Sequence, residues 1–178
     1  MSELTKALAQ LGSEPEELIR YLLGAQVNLA YALRVALTRK MGREKATPLI
    51  ASVWGERARM TAERYVSEVG TKEGLLSLGK ITRLWWNREF LCPMDFVEHT
   101  EDRIVCQVSV CPYWEAVLNL FGDEARKYYN KETMTLTSIE ELQGIRRAAG
   151  MDDAVDVECP KIMCGGDDVC QFVFTCRK

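Results

Sequence analysis

Apolar residues recur every three or four positions through the first ninety residues, which is the spacing of amphipathic helices. Three helices are predicted there, and each starts near a hydroxyl residue of the kind that caps helices. The predicted helices start at Ser13, Thr47 and Thr71, and the first two end at Gly42 and Gly70. The third helix carries the adjacent pair Trp85 and Trp86. Residues 1–90 are therefore predicted to form a helical layer.

After residue 90, apolar residues alternate with polar ones, as they do in half-buried strands. Strands are predicted over 94–99, 103–111, 155–163 and 170–176, paired as two hairpins. Between the hairpins, one helix is predicted from Pro112 and another over 138–149. This order indicates an α+β fold, in which the N-terminal helical layer packs on a small antiparallel sheet. The chain of 178 residues fits a single domain, residues 1–178, whose strand-rich α+β portion is 91–178.

Charge is distributed unevenly along the chain, although the formal net charge is only −3. Residues 31–90 hold twelve basic and six acidic groups, whereas residues 91–178 hold nine basic and sixteen acidic groups. The basic residues form neither a dense stripe nor a known binding motif, so no nucleic-acid partner is expected. The most apolar stretch, 18–37, contains Arg20 and Arg34, whose charges disfavour a membrane span. Residues 1–6 lack a signal-peptide pattern, so we expect a cytoplasmic protein with no membrane partner.

Seven cysteines are the unusual feature of the composition. An odd number cannot pair completely within one chain, and cytoplasmic thiols stay reduced, so free thiols are expected. Cys111, Cys164 and Cys170 fall at predicted strand ends or turns and could converge on one pocket. Such a cluster would suit a zinc or iron ion, or a cysteine nucleophile beside an acid such as Asp167. The alternative is that these cysteines are small buried apolar residues, and the sequence identifies no cofactor.

Aromatic residues indicate a second candidate feature, a pocket for a small molecule. Trp85 and Trp86 are adjacent on a predicted helix, so their side chains point about 100° apart and cannot share a narrow stripe. One of them could face the core while the other lines a pocket, to which Trp114 would contribute. The alternative is that all three belong to an aromatic core between helices and sheet. The broad apolar face of the first helix would also suit a homodimer.

The end of the chain carries the pattern Gly166-Asp167-x-x-Cys170-x-Phe172, and Cys111 lies between a predicted strand and a predicted helix. These segments resemble motifs of the L-2-amino-thiazoline-4-carboxylic acid hydrolase-like family, and the resemblance covers residues 100–175. The 4-vinyl reductase type of ligand-binding domain has a similar ending. The resemblance implies an α+β domain and, in the named enzyme, hydrolytic opening of a thiazoline ring. The motif positions carried over include Cys111, Cys170 and Asp167, which are the catalytic candidates.

Three hypotheses about function follow. The first is a small-molecule-binding protein that hydrolyses cyclic C–N or C–S substrates at a cysteine-lined site. The second is a non-catalytic sensor domain that binds a ligand in an aromatic-lined cavity, or a metal. The third is an interaction protein that buries its helical face in a homodimer. Ligand-binding candidates are Trp85, Trp86 and Trp114, and metal-binding candidates are Cys111, Cys164 and Cys170.

Overall fold

The computed structural model describes residues 14–177, which contain five α-helices, four strands and two short 3₁₀ segments. The helices are α1 (Pro15–Met41), α2 (Arg43–Val69), α3 (Leu75–Glu89), α4 (Pro112–Phe121) and α5 (Lys131–Ala148). The strands are β1 (Met94–His99), β2 (Arg103–Val108), β3 (Val155–Lys161) and β4 (Cys170–Cys176). The 3₁₀ segments are Gly122–Lys127, which follows α4, and Met163–Gly165, which lies between β3 and β4.

The four strands form one antiparallel sheet in the order β1-β2-β4-β3. The two predicted hairpins are both present, and β2 pairs with β4 to join them. Ile104 lies opposite Phe174, and Cys106 lies opposite Phe172. All four side chains are fully buried, because residues two apart on a strand point to the same face. This face of the two central strands contributes to the apolar core.

The N-terminal helices pack on this sheet, which confirms the predicted α+β fold. Helix α3 contacts β1 and β2, and α5 contacts β3. Helix α2 lies along α5, while α1 contacts α2 and α4. Fully buried large side chains fill the core that these elements share, and they include Trp85, Leu78, Ile81, Leu142 and Phe172.

The start of α2 differs from the predicted one. The helix begins at Arg43 rather than at Thr47, and Pro48 lies inside it. Gly42 adopts a φ of +79°, so the chain reverses direction there and can re-enter a helix at once. Pro48 removes one backbone hydrogen bond, and the buried residues Ala46 and Ile50 on either side keep the helix packed.

Helix α5 starts seven residues earlier than the prediction at residue 138. The side chain of Asn130 accepts a hydrogen bond from the Thr133 backbone N–H, and the Thr133 hydroxyl accepts one from the Asn130 backbone N–H. This reciprocal pair is a capping box in which threonine takes the place of the usual glutamate or glutamine. The predicted interval missed it because the pattern of apolar residues is weak before Ser138.

Three other predicted boundaries are also wrong, and the first is the end of β3, which lies at Lys161 rather than at residue 163. Strand β2 ends at Val108 rather than at residue 111, because its pairing with β1 and β4 ends there. Val110 is accordingly 55% exposed. Helix α3 begins after Gly74, whose φ is +56°, while Thr71 instead accepts the backbone bond that closes the preceding turn. The chain therefore makes a turn over residues 71–74 before α3, where the apolar pattern predicts the first turn of the helix.

Some predictions concern residues or properties that this structure does not test. The predicted Ser13 cap and the N-terminal residues 1–6 lie outside the described residues. Within 14–177, no helix combines the length and apolar character needed to cross a bilayer. Helix α1 does expose large apolar side chains, notably Tyr21 and Leu29, so the homodimer stays a prediction.

Glycines set the spacing of α2 and α5, which form the most extensive contact between any two elements of residues 14–177. An added Cβ at Gly144 would lie 2.1 Å from the carbonyl oxygen of Gly55 and 3.0 Å from the backbone nitrogen of Arg59. An added Cβ at Gly55 would lie 2.9 Å from the carbonyl oxygen of Glu140. Because the opposing atoms are backbone, the two helices can approach this closely only with glycine at both positions.

We therefore expect Gly144→Ala to lower the free energy of unfolding by about 1–3 kcal/mol, because the helices must separate. Urea denaturation measures this change. The matched control is Gly24→Ala in α1, where an added Cβ meets no atom within 4 Å. That substitution should raise stability by about 0.5–1 kcal/mol, since alanine restricts the unfolded chain. Equal stability of Gly144→Ala and the wild type would contradict the close crossing.

Candidate functional site

A small, partly open cavity of about 50 Å³ lies between the helices and the turn that precedes β4. Its walls are mostly aromatic and sulfur-containing, with a few polar groups at one part of the surface. The aromatic lining residues are Trp54, Trp86, Phe90, Tyr113, Trp114 and Tyr129. The polar lining residues are Arg34, Thr137, Ser138 and Glu141, and the thiols are Cys111, Cys164 and Cys170. Apolar walls with a few convergent polar groups are typical of small-molecule sites.

The two adjacent tryptophans of α3 have different environments. Trp86 lines the cavity and stacks on Phe172 at a ring-centroid distance of 4.9 Å. Trp85 is fully buried away from the lining, and its Nε1 donates to the Thr61 hydroxyl at 2.8 Å. Trp86 and Trp114 therefore line the cavity, whereas Trp85 supports the wall by edge-to-face contact with Trp86 at 5.7 Å.

Arg34 of α1 is a buried cation in the wall and is only 3% exposed. Its Nη2 donates to the Thr137 hydroxyl at 3.2 Å, and its guanidinium lies 4.7 Å from the Tyr129 ring centroid. The Tyr129 and Tyr113 hydroxyls are 3.4 Å apart, and burial raises the pKa of both phenols. Both tyrosines are therefore neutral hydrogen-bonding groups at physiological pH.

Glu141 of α5 is the unexpected member of the site. It is 4% exposed, and within residues 14–177 its carboxyl group makes no hydrogen bond or ion pair. Burial raises the pKa of Glu141 to about 8, although the positive charges of Arg57 and Arg34 act in the opposite direction. Burial consequently favours the uncharged carboxylic acid here, which can both donate and accept a hydrogen bond.

Cys111 differs from the other thiols of the cavity because it caps α4. Its sulfur accepts a hydrogen bond from the Trp114 backbone N–H at 3.3 Å and lies 3.5 Å from the Cys92 sulfur. The thiol of Cys92, and then the backbone N–H groups at the helix start, lower the pKa of Cys111. Burial raises the pKa of Cys170 to about 12 and also raises that of Cys164. Cys111 is therefore the most readily ionised thiol of the lining.

Asp167 is not among the residues that line the cavity. Its Oδ2 accepts a hydrogen bond from the Ile162 backbone N–H at 2.8 Å and lies 3.0 Å from the Lys131 ammonium group. These two interactions lower the pKa of the Asp167 carboxyl, which therefore stays ionised while it holds the turn between β3 and β4. The catalytic role expected for Asp167 and Cys170 stays a prediction.

The three thiols expected to bind a metal do line one cavity. Within the part of the chain that the structure describes, however, no three histidine, cysteine, aspartate or glutamate side chains are close enough to hold a metal ion. The arrangement thus gives no support for zinc or iron at Cys111, Cys164 and Cys170.

The sequence contains a signal for Glu141 and Arg34, the two charged lining residues that are not among the predicted site residues. Ser138, Glu141 and Ile145 follow the i, i+3, i+7 spacing of one buried helix face, so a glutamate stands where an apolar residue is normal. Arg34 likewise follows Val27 and is buried on the same face. A charged residue at an apolar position of a helical stripe marks a buried polar site.

Solved structures with this fold include two that hold small molecules. One is the trafficking protein particle complex subunit 3 from Naegleria fowleri, covalently bound to palmitic acid; it has 12% sequence identity, a TM-score of 0.59, and matches 89% of this chain and 96% of its own. The other is the phenol-responsive sensory domain of the transcription activator PoxR with phenol, at 14% identity and a TM-score of 0.57, over 84% of this chain and 73% of its own. No protein-family model and no curated protein matches the chain. At these identities the similarity shows the fold.

The buried acid predicts a specific pH dependence of stability. The ordinary pKa of a glutamate is 4.5, so between about pH 4.5 and pH 8 the folded chain retains a proton that the unfolded chain releases. Stability contributed by this proton is complete below that window and is lost as the pH rises through it, by at most about 1.4 kcal/mol per pH unit.

We expect Glu141→Gln to remove this slope, because glutamine cannot ionise. Urea unfolding at about pH 5, 6.5 and 8 should show the variant gaining stability relative to the wild type as the pH rises. Glu132→Gln, at an exposed position on the same helix, should keep the wild-type slope. Parallel pH profiles for wild type and Glu141→Gln would show that Glu141 is ionised in the folded protein.

Proposed function

We propose that this chain is a ligand-binding domain of the sensor type, which binds a small aromatic or heteroaromatic molecule in the cavity. The observation that carries the proposal is the combination of aromatic walls with a buried carboxyl group, Glu141, that has no partner within residues 14–177. Buried polar groups are normally hydrogen-bonded, so one that faces a cavity without a partner is suited to a ligand.

Other unsatisfied groups support the same proposal. Arg34 Nε, Trp54 Nε1 and Trp86 Nε1 are buried donors with no acceptor within the described residues, and all three side chains line the cavity. A ligand with a hydroxyl or amide group could accept from such donors and donate to Glu141. The aromatic walls would hold its ring by stacking or edge-to-face contact.

The size of the cavity favours a compact ligand. One water needs about 10–15 Å³ of such space, so 50 Å³ corresponds to roughly three to five water-sized molecules. That volume is much closer to a one-ring compound than to a long acyl chain. Of the two ligands in the similar structures, phenol therefore fits this proposal better than palmitic acid.

Titration with phenol tests the proposal. We expect saturable quenching of tryptophan fluorescence, because three of the four tryptophans line the cavity, whereas palmitate should give no saturable signal. Saturable binding of palmitate without binding of phenol would contradict the proposed ligand size. If none of the three aromatic compounds phenol, indole and benzamide binds, the proposed ligand class is wrong.

A cavity-filling substitution localises the binding. Ser138→Val replaces the hydroxyl of the wall with a methyl group and adds a second methyl group, and it should weaken phenol binding about tenfold or more, a change of about 1.4 kcal/mol. Ser67→Val, on the exposed face of α2, makes the same change in a helix away from the cavity and should bind phenol like the wild type. Circular dichroism confirms that both variants fold. Equal weakening by both variants would place the binding site elsewhere.

A second candidate function is hydrolysis of a cyclic C–N or C–S substrate, and the lowered pKa of Cys111 favours it. The Cys111 thiolate would add to the ring carbon between nitrogen and sulfur, and protonated Glu141 would supply a proton to the departing heteroatom. Water would then release the product from the cysteine. We also propose that the chain belongs to the L-2-amino-thiazoline-4-carboxylic acid hydrolase-like family, on the basis of the motif resemblance over residues 100–175.

Incubation with L-2-amino-thiazoline-4-carboxylate, followed by chromatography of the product, tests the second candidate. Turnover should fall to background in Cys111→Ser, because a serine hydroxyl is far less nucleophilic than a thiolate. Cys176→Ser changes a similarly exposed thiol outside the cavity lining and should leave turnover intact. Turnover retained in both Cys111→Ser and Cys170→Ser would contradict cysteine catalysis.

A further inference from the structure

Two thiols meet where the β1–β2 hairpin opens. Met94 pairs with Val108 at that end of the hairpin, Cys92 lies two residues before the first, and Cys111 lies three residues after the second. The register of the strands therefore brings the two cysteines side by side, and their sulfur atoms are 3.5 Å apart. A disulfide bond of about 2.05 Å would require an approach of roughly 1.5 Å.

The two thiols are chemically different. The Cys92 side chain is fully buried, and its sulfur lies 3.5 Å from both the Cys111 sulfur and the Phe90 carbonyl oxygen, so its S–H can donate to either. Cys111 is partly exposed, lines the cavity, and also accepts the Trp114 backbone N–H at the start of α4. Hydrogen bonds from two donors and the helix N-terminus favour a thiolate at Cys111. Cys111 is thus arranged to react first, with Cys92 beside it as the second thiol.

We propose that Cys92 and Cys111 form a modification site for small hydroperoxides, at which both thiols are oxidised to a disulfide. The Cys111 thiolate attacks one peroxide oxygen and the O–O bond breaks. The departing hydroxide takes up a proton, and Cys111 becomes a sulfenic acid. The Cys92 thiol then loses its proton and its sulfur attacks the sulfenic sulfur, which releases the second water. In sum, two thiols are oxidised and hydrogen peroxide is reduced to two water molecules.

Access and selectivity both follow from the surroundings. The cavity admits several water-sized molecules, so hydrogen peroxide can reach the Cys111 sulfur through it. Cys106, Cys159, Cys164 and Cys170 are buried, and burial raises their pKa values. Cys176 is partly exposed, as Cys111 is, but its thiol donates a hydrogen bond to the Glu101 carbonyl oxygen at 3.4 Å and has no second cysteine within hydrogen-bond distance among residues 14–177. This site goes beyond the proposed ligand binding and does not depend on it.

The experiment treats the full reduced chain with a small excess of hydrogen peroxide and follows mass and thiol count. We expect a loss of two hydrogens per chain and of two of the seven thiols. Trypsin cleaves after Arg88, Arg103 and Arg126, so the disulfide should join peptides 89–103 and 104–126. The second peptide also contains Cys106, so the digest is repeated with Cys106→Ser, which should give the same linkage.

Single variants separate the two roles. Cys111→Ser should slow peroxide consumption of thiols at least about tenfold, whereas Cys176→Ser should react like the wild type. Cys92→Ala should leave Cys111 as a sulfenic acid that dimedone traps, and Cys92→Ser is the alternative if the alanine variant fails to fold. A linkage that persists in Cys111→Ser would overturn the proposal. Equal reaction rates in all variants, or a disulfide only between chains, would overturn it as well.

Discussion

The close crossing of α2 and α5 at Gly55 and Gly144 is the constraint on which the rest of the structure depends. Backbone atoms of the two helices come within van der Waals contact there, with no side chain between them. Trp54 is adjacent to the first glycine, and Glu141 lies one helical turn before the second, so the crossing brings both to one cavity wall. Wider spacing would move these groups apart. A packing requirement therefore fixes the geometry of the candidate site.

The same close packing explains the state of Glu141. Burial disfavours the charged carboxylate, and no residue of 14–177 offers it a hydrogen bond, so the uncharged form is favoured. The positive charge of Arg57 is the largest influence that lowers the pKa of Glu141, but Arg57 forms its ion pair with Glu89, at 3.0 Å. Burial of an unpaired acid costs stability that an apolar residue would not. An unpaired buried acid is thus an exception to the apolar packing of the core. Exceptions of this kind are expected at functional sites.

Local patterns predicted the elements whose apolar residues repeat clearly, and these include the long N-terminal helices, both hairpins and the helix after Pro112. The prediction failed at Lys131 because a capping box, rather than apolar spacing, starts that helix. It also failed for Glu141 and Arg34, whose burial depends on helices about one hundred residues apart in sequence. Cys111, Cys164 and Cys170 line one cavity, but the Cys92–Cys111 contact depends on hairpin register. Strand register and helix crossing depend on the tertiary structure, so the periodicity of apolar residues cannot predict them.

The cavity combines two groups whose pKa values are shifted in opposite directions: the pKa of Glu141 is raised and the pKa of Cys111 is lowered. Burial keeps Glu141 protonated, whereas the start of α4 and the Cys92 thiol favour ionised Cys111. The local environment thus makes the carboxyl group a weaker acid and the thiol a stronger acid than they are in water. A bound molecule would meet a hydrogen-bond donor at one group and a nucleophilic sulfur at the other. Helix capping favours the thiolate and burial favours the uncharged acid, and the negative charge of Cys111 further raises the pKa of Glu141, so the two groups of the cavity are electrostatically coupled.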